Sequence, residues 1–177
     1  MVQMAIDSNV LRATMRQWAT GVTVVTTVAE GEYAGMTVSS FTSVSLEPPT
    51  VLVCLNKQSY CHAVVERSGV YAVSMLGQSQ DWLSNRFAGL DPSVTDRFAG
   101  LDISTAETGS PLLPDAIAWL DCVVVSTHET TTHTIFIAEV VYAHVDPERQ
   151  PLVYHNRSYH VLTSVEQTES HERGVLD

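Results

Sequence analysis

Between Thr37 and Ser45, six of nine residues carry a hydroxyl: Thr37, Ser39, Ser40, Thr42, Ser43 and Ser45. Hydroxyls and backbone N–H groups outside a regular ladder bind a phosphate by hydrogen bonding, with no formal positive charge. The bland alternative is a half-exposed strand in which Ser and Thr alternate for solvation and β-branching alone. Pro48-Pro49 then holds the chain extended into the apolar run Val51 to Leu55. Binding an anion in this way suits the charge inventory. The 177 residues carry 9 Lys+Arg against 20 Asp+Glu, a net charge of −11, and Lys57 is the single lysine. Such a chain lacks the clustered cations that a nucleic acid or an anionic membrane surface demands.

Other chemistries are thinner. Cys54, Cys61 and Cys122 show no C-x-x-C and no metal-finger spacing, and so odd and low a count fits a reducing, cytoplasmic setting. The N-terminal MVQMAIDSN lacks a basic region and a long apolar run, and no apolar stretch approaches the ~18 residues of a membrane span. His133, His144 and His155 recur every eleven residues, but no carboxylate or cysteine accompanies them at ligand spacing, so no metal is expected. No nucleophilic triad, no paired carboxylates and no G-x-G-x-x-G after a strand are present.

The elements that must hold these residues are mostly strands. An N-terminal helix begins at Asp7 or Ser8, carries Leu11, Met15 and Trp18 at helical spacing, and is expected to stop at Gly21. The β-branched run Val22 to Val28 then reads as a strand, turned at Glu30-Gly31-Glu32 into a return strand from Tyr33 to Val38. Further strands fall at Val51 to Leu55, Val70 to Leu76, Ile117 to His128, Thr134 to Val145, Pro151 to His155 and Tyr159 to Leu162. Two short helices interrupt them, one between Ser59 and Gly69, the other from about Ser79 to Phe87. Long strands in hairpin succession without βαβ alternation predict a mainly β, antiparallel barrel. The hexapeptide Arg86-Phe-Ala-Gly-Leu-Asp91 recurs at Arg97 to Asp102; two copies make no solenoid, and the repeat is assigned no architectural weight. Residues 1–162 read as one domain and residues 163–177 as a polar, flexible tail.

The ordered segments Thr20-Gly-Val-Thr-Val-Val-Thr26, Gly35-Met-Thr-Val-Ser-Ser-Phe-Thr-Ser-Val-Ser-Leu-Glu-Pro-Pro49 and Val51-Leu-Val-Cys-Leu-Asn56 resemble the flavin reductase family. The likeness continues through Phe87-Ala-Gly89, Gly109-Ser-Pro-Leu112, Ala118-Trp-Leu-Asp-Cys122, His133-Thr-Ile-Phe136 and Pro151-Leu-Val-Tyr154, covering residues 10 to 162. The resemblance implies an antiparallel Greek-key split barrel with flanking helices, usually a homodimer, holding FMN or FAD near the dimer interface. It implies hydride transfer from NADH or NADPH to that flavin and a monooxygenase partner that receives the reduced flavin.

By the same resemblance, Thr37, Val38, Ser39 and Ser40 line the flavin ring and its phosphate, with Ser39 and Ser40 donating to phosphate oxygens. Cys54, Leu55 and Asn56 run along the ribityl chain and the pyrimidine edge, with Lys57 and Ser59 just beyond. Ser59 reads equally as an ordinary helix N-cap. Arg86 and Phe87 fall near the phosphate or the outer flavin, Phe87 reading also as core, and Lys57 and Arg86 are the cations expected to assist the phosphate. His133 matches a family histidine near the nicotinamide, although Thr131-Thr132 stand where the family has Gly-Asp. Tyr159 closes the same pocket or packs in the core. Competing readings are a non-catalytic flavin-binding or electron-transfer protein on the same barrel, and a related oxidase needing no reduced nicotinamide.

Overall fold

The computed structural model describes residues 6–164, so the expected tail from residue 165 onward lies outside the described residues. Helix α1 (Ser8–Met15) starts where Asp7 accepts the Asn9 N–H at 2.7 Å. Gly21 does not stop it. Gln17 and Trp18 donate to Thr14 and Met15 carbonyls, tightening and ending the helix first. Gly21 instead pairs with Val153, because β1 (Thr20–Gly21) joins β11 (Leu152–His155) and β12 (Ser158–Val161) in a three-stranded sheet.

The main sheet has seven strands: β2 (Thr23–Ala29), β3 (Glu32–Val38), β4 (Thr42–Leu46), β5 (Pro49–Asn56), β6 (Val70–Met75), β9 (Ala118–Glu129) and β10 (His133–Val145). Their order is β3-β2-β6-β9-β10-β5-β4, every pair antiparallel. The β2–β3 turn places Glu30 at φ 52° and Gly31 at φ 81°, the doubly left-handed turn that follows strand twist. Strand β4 occupies the hydroxyl-rich run, whose side chains are mostly exposed. Only Ser39, Ser40 and Phe41 connect edge strand β3 to the opposite edge strand β4. Four Cα steps reach at most about 14 Å. A flat sheet would hold those edges six spacings, or roughly 29 Å, apart. The sheet therefore curls until its two edges approach, which is the barrel that the strand succession predicts.

Helix α2 (Tyr60–Ser68) is capped by Ser59 and ended by left-handed Gly69, and it lays Val64 and Val65 on the core of Val25, Val53, Leu55, Tyr71 and Phe136. Helix α3 (Asp81–Ala88) lays Leu83 and Phe87 on Val22, Val24, Leu76, Leu113 and Leu152. Two minor strands, β7 (Ser104–Thr105) and β8 (Pro111–Leu112), pair separately. Among the described residues no helix is long and apolar enough to cross a membrane.

The hexapeptide repeat carries more weight than expected. Arg86 Nη2 donates to the Ala99 carbonyl of the second copy and to the Asp96 carbonyl just before it, and Arg97 Nη1 donates back to the Phe87 carbonyl of the first at 2.9 Å. Phe87 and Phe98 meet edge to face at 5.1 Å. Gly89 and Gly100 adopt the same left-handed φ, 71° and 73°. Each copy ends a turn in the same way and holds the other.

Candidate functional site

Strands β5 and β10 carry one group of the expected residues. His133 lies directly opposite Asn56, and Ile135 opposite Cys54. Partners across an antiparallel pair point to one face, and residues two apart share it. Burial alternates accordingly. Val51, Val53 and Leu55 are buried, while Leu52, Cys54 and Asn56 are half-buried on the outer face. Leu55 turns a fully buried side chain to the core, where burial contributes about 1.5–3 kcal/mol, so a ligand would meet only its backbone. Cys54 shares the outer face, and burial pushes its thiol above the ordinary range, which keeps it protonated at neutral pH.

Asn56 Oδ1 accepts the Gln58 N–H at 2.8 Å, and its amide NH2 remains a donor toward the outer face. His133 Nδ1 lies 2.8 Å from Thr132 Oγ1, leaving Nε2 to face a ligand. Thr130 and Thr132 close the turn: Thr130 Oγ1 accepts the His133 N–H, and the Lys57 N–H bonds the Thr132 carbonyl. A neutral hydroxyl, instead of a carboxylate, orients this imidazole.

The Thr37–Ser40 corner forms the second group. Thr37 Oγ1 donates to the Ser84 carbonyl at 2.7 Å, and Val38 is buried. Tyr159 Oη lies 2.9 Å from both Ser84 Oγ and Asn85 Oδ1. Thr37, Val38, Ser39, Tyr154 and Tyr159 line one cavity of about 180 Å³ between β3, α3 and β12. Ser39 is exposed. Ser40 Oγ donates to the Cys54 carbonyl at 2.8 Å and accepts the Cys54 N–H at 3.2 Å. The Ser40 hydroxyl thus fastens the corner to β5, and its single proton is already engaged.

The remaining expected residues are occupied elsewhere. Ser59 donates to the Asn56 carbonyl and accepts the His62 N–H, an N-cap in both respects, though it also lines a cavity with Gly35 and Arg97. Phe87 is fully buried core. Gly35 must be glycine for that reason, since a Cβ there would stand 2.8 Å from the Phe87 ring. The two cations expected beside a phosphate are engaged instead. Lys57 pairs with Glu129 at 2.8 Å and holds that carboxyl below its usual range. Arg86 binds the Asp96 and Ala99 carbonyls, with its Nε buried and unbonded.

Different cations surround the corner. Arg12, Arg16 and Arg157 line a cleft of about 470 Å³ together with Ser39 and Ser40. Their spacing held only a partial signal: Arg12 and Arg16 are four apart on one helix, but Arg157 arrives from a distant hairpin.

The Flavin reductase like domain family matches residues 15–163. The chain is 42% identical to an NADH-dependent flavin reductase, StyB, of Pseudomonas fluorescens, over 90% of this chain and 92% of that protein. It is 37% identical to the reductase subunit HsaB of a flavin-dependent monooxygenase in Rhodococcus jostii, over 88% of this chain and 78% of that protein. A solved NADH:FAD oxidoreductase of Streptomyces globisporus superposes with a TM-score of 0.83 at 35% identity, covering 93% of this chain and 99% of that one.

Proposed function

This chain belongs to the flavin reductase family, and from that premise we propose that it reduces FMN or FAD with NADH or NADPH and releases reduced flavin to a monooxygenase partner. The observation that carries the reading is the shared outer face of Asn56 and His133, fastened through Ser40 to the Thr37–Ser40 corner. The donor set fits a flavin. Asn56 offers amide N–H groups to the ring's carbonyl edge, and the exposed Ser39 hydroxyl suits its phosphate. A bound flavin supplies the hydride acceptor, and a nicotinamide stacked on it supplies the hydride. The protein's part is position and exclusion of water. Asn56 fixes the ring edge, the Thr37–Ser40 corner seats the phosphate end, and His133 orients the visiting nicotinamide through Nε2. Tyr159, anchored on helix α3, walls the cavity beside Ser39.

NADH is favoured over NADPH, because the relatives carry NADH in their names. The chain acts as a homodimer. Support comes from strands β9 and β10, which leave Val125, Val141 and Val145 exposed in one chain. Three free cysteines favour the cytoplasm. The test is oxidation of NADH and NADPH, each with FMN and with FAD, followed at the nicotinamide absorbance band. Turnover in any pairing supports the proposal, and none in all of them overturns it.

A further inference from the structure

Among the described residues His62 is the one buried histidine, 4% exposed on the inner side of α2 beside Cys61, Val64 and Val65. Burying an imidazole costs free energy unless its ring nitrogens find partners. Nε2 finds one: it lies 2.8 Å from Oγ1 of Thr134, which is itself buried. The ring also meets Phe136 edge to face at 5.3 Å. Thr134 and Phe136 are alternate residues of β10, so one helical side chain grips the inner face of that strand at two points.

The grip falls directly behind the outer-face pair. Thr134 follows His133 and pairs with Leu55, the residue before Asn56. Because side chains alternate along a strand, Thr134 points inward where His133 points outward. The same helix begins on Asn56: Ser59 Oγ donates to the Asn56 carbonyl at 2.8 Å and accepts the His62 N–H at 3.2 Å. A closed circuit results, from Asn56 through Ser59 and His62 to Thr134 and so to His133, which stands opposite Asn56. The other side-chain ties at this end of β10 are open to water. The Thr130 and Thr132 bonds to His133 are exposed, and the Lys57–Glu129 pair is 32% and 70% exposed. Such bonds compete with solvent and hold geometry weakly. The His62–Thr134 bond, buried at both ends, meets no such competition.

We propose that His62 is a positioning residue: through Thr134 it holds the His133 imidazole in register with Asn56, while touching neither flavin nor nicotinamide. That His133 serves the nicotinamide rests on the reading above; that His62 holds the end of β10 does not. Hydride transfer is sensitive to small misplacements of the stacked rings, so a loosened His133 costs rate and nicotinamide binding. Flavin affinity is spared, because Asn56 keeps its own bonds to Gln58 and Ser59.

Steady-state kinetics with NADH at saturating FMN, FMN titration and amide hydrogen exchange on the full chain test it together. His62→Leu fills the space but cannot bond Thr134. It lowers kcat/KM for NADH about fivefold, the worth of one hydrogen bond, with FMN affinity within about twofold of the wild type. Amide exchange speeds up in residues 130–136 and not across the chain. His62→Gln, whose amide can reach the Thr134 hydroxyl, restores both readouts. Thr134→Val removes the same bond from the other side with its shape kept, so it gives the same result even where His62→Leu does not fold. Combining the two adds no further loss. Unchanged kcat/KM in both single variants overturns the inference. So does a loss matched in FMN affinity, spread over the exchange of the whole chain and not restored by His62→Gln, the mark of a residue that only stabilises the fold. Local exchange that speeds up and is restored, in a protein that reduces no flavin, keeps the hold on β10 and overturns the proposed function alone.

Discussion

His133 stands directly across from Asn56 in the β5–β10 ladder, so the two side chains share a face although 77 positions separate them in sequence. Their partners divide their roles. Asn56 has spent its carbonyl on Gln58 and keeps its amide donor, whereas His133 has spent Nδ1 on Thr132 and keeps Nε2. Asn56→Ala is therefore expected to weaken flavin binding about tenfold, the value of one well-placed hydrogen bond. His133→Ala is expected to lower kcat/KM for the nicotinamide by a similar factor, with flavin affinity nearly intact. Flavin fluorescence titration and steady-state kinetics separate the two; equal flavin losses in both variants would place His133 on the flavin instead.

Ser39 and Ser40 are neighbours with opposite assignments. The Ser40 hydroxyl joins both backbone groups of Cys54, so Ser40→Ala leaves a half-buried N–H and C=O without partners. A cost of about 1–2 kcal/mol in urea unfolding follows. Ser39 is exposed, and Ser39→Ala should stay within about 0.5 kcal/mol of the wild type. FMN affinity should fall severalfold in Ser39→Ala even so. A stability loss in Ser39→Ala equal to that in Ser40→Ala would remove the distinction.

How much of this was legible in the sequence depends on the range of the interactions. Strand placement was readable because β-branched runs and alternating burial are local. Ser59 and Gly69 bounded α2 by capping chemistry that spans three or four residues. The Gly21 stop failed because tertiary pairing with Val153 claimed that residue. The engagement of Lys57 and Arg86 was out of reach for a different reason. Their partners, Glu129 and the carbonyls of Asp96 and Ala99, are set by how hairpins and loops fold back. Arg157 likewise reaches Arg12 and Arg16 only through the docked β11–β12 turn.

Cys54 reports on the site without being part of its chemistry. Cys61 and Cys122 are buried, with thiols pushed up to about 12, while Cys54 is half-exposed on the face of Asn56 and His133. Iodoacetamide should label Cys54 first, slowly at neutral pH and faster as pH rises, because burial raises its thiol and only the thiolate attacks. Saturating FMN should slow that labelling, read by mass spectrometry. Unchanged labelling would place the flavin away from β5.

The two hexapeptides make a coupled unit, and coupling is measurable. Phe87 and Phe98 pack edge to face, while Arg86 bonds the Ala99 carbonyl and Arg97 the Phe87 carbonyl of the opposite copy. Arg97 also reaches the Gly35 carbonyl at 2.9 Å, tying the pair to β3 next to Thr37. Phe87→Leu and Phe98→Leu should each destabilise, and the double variant should cost less than their sum by about 0.5–1.5 kcal/mol, since the second substitution removes an aromatic contact already gone. Because α3 supplies Ser84, which binds both Thr37 and Tyr159, loosening the pair should also weaken flavin binding. Strict additivity in urea unfolding would show two independent turns, and the repeat would then carry no architectural weight.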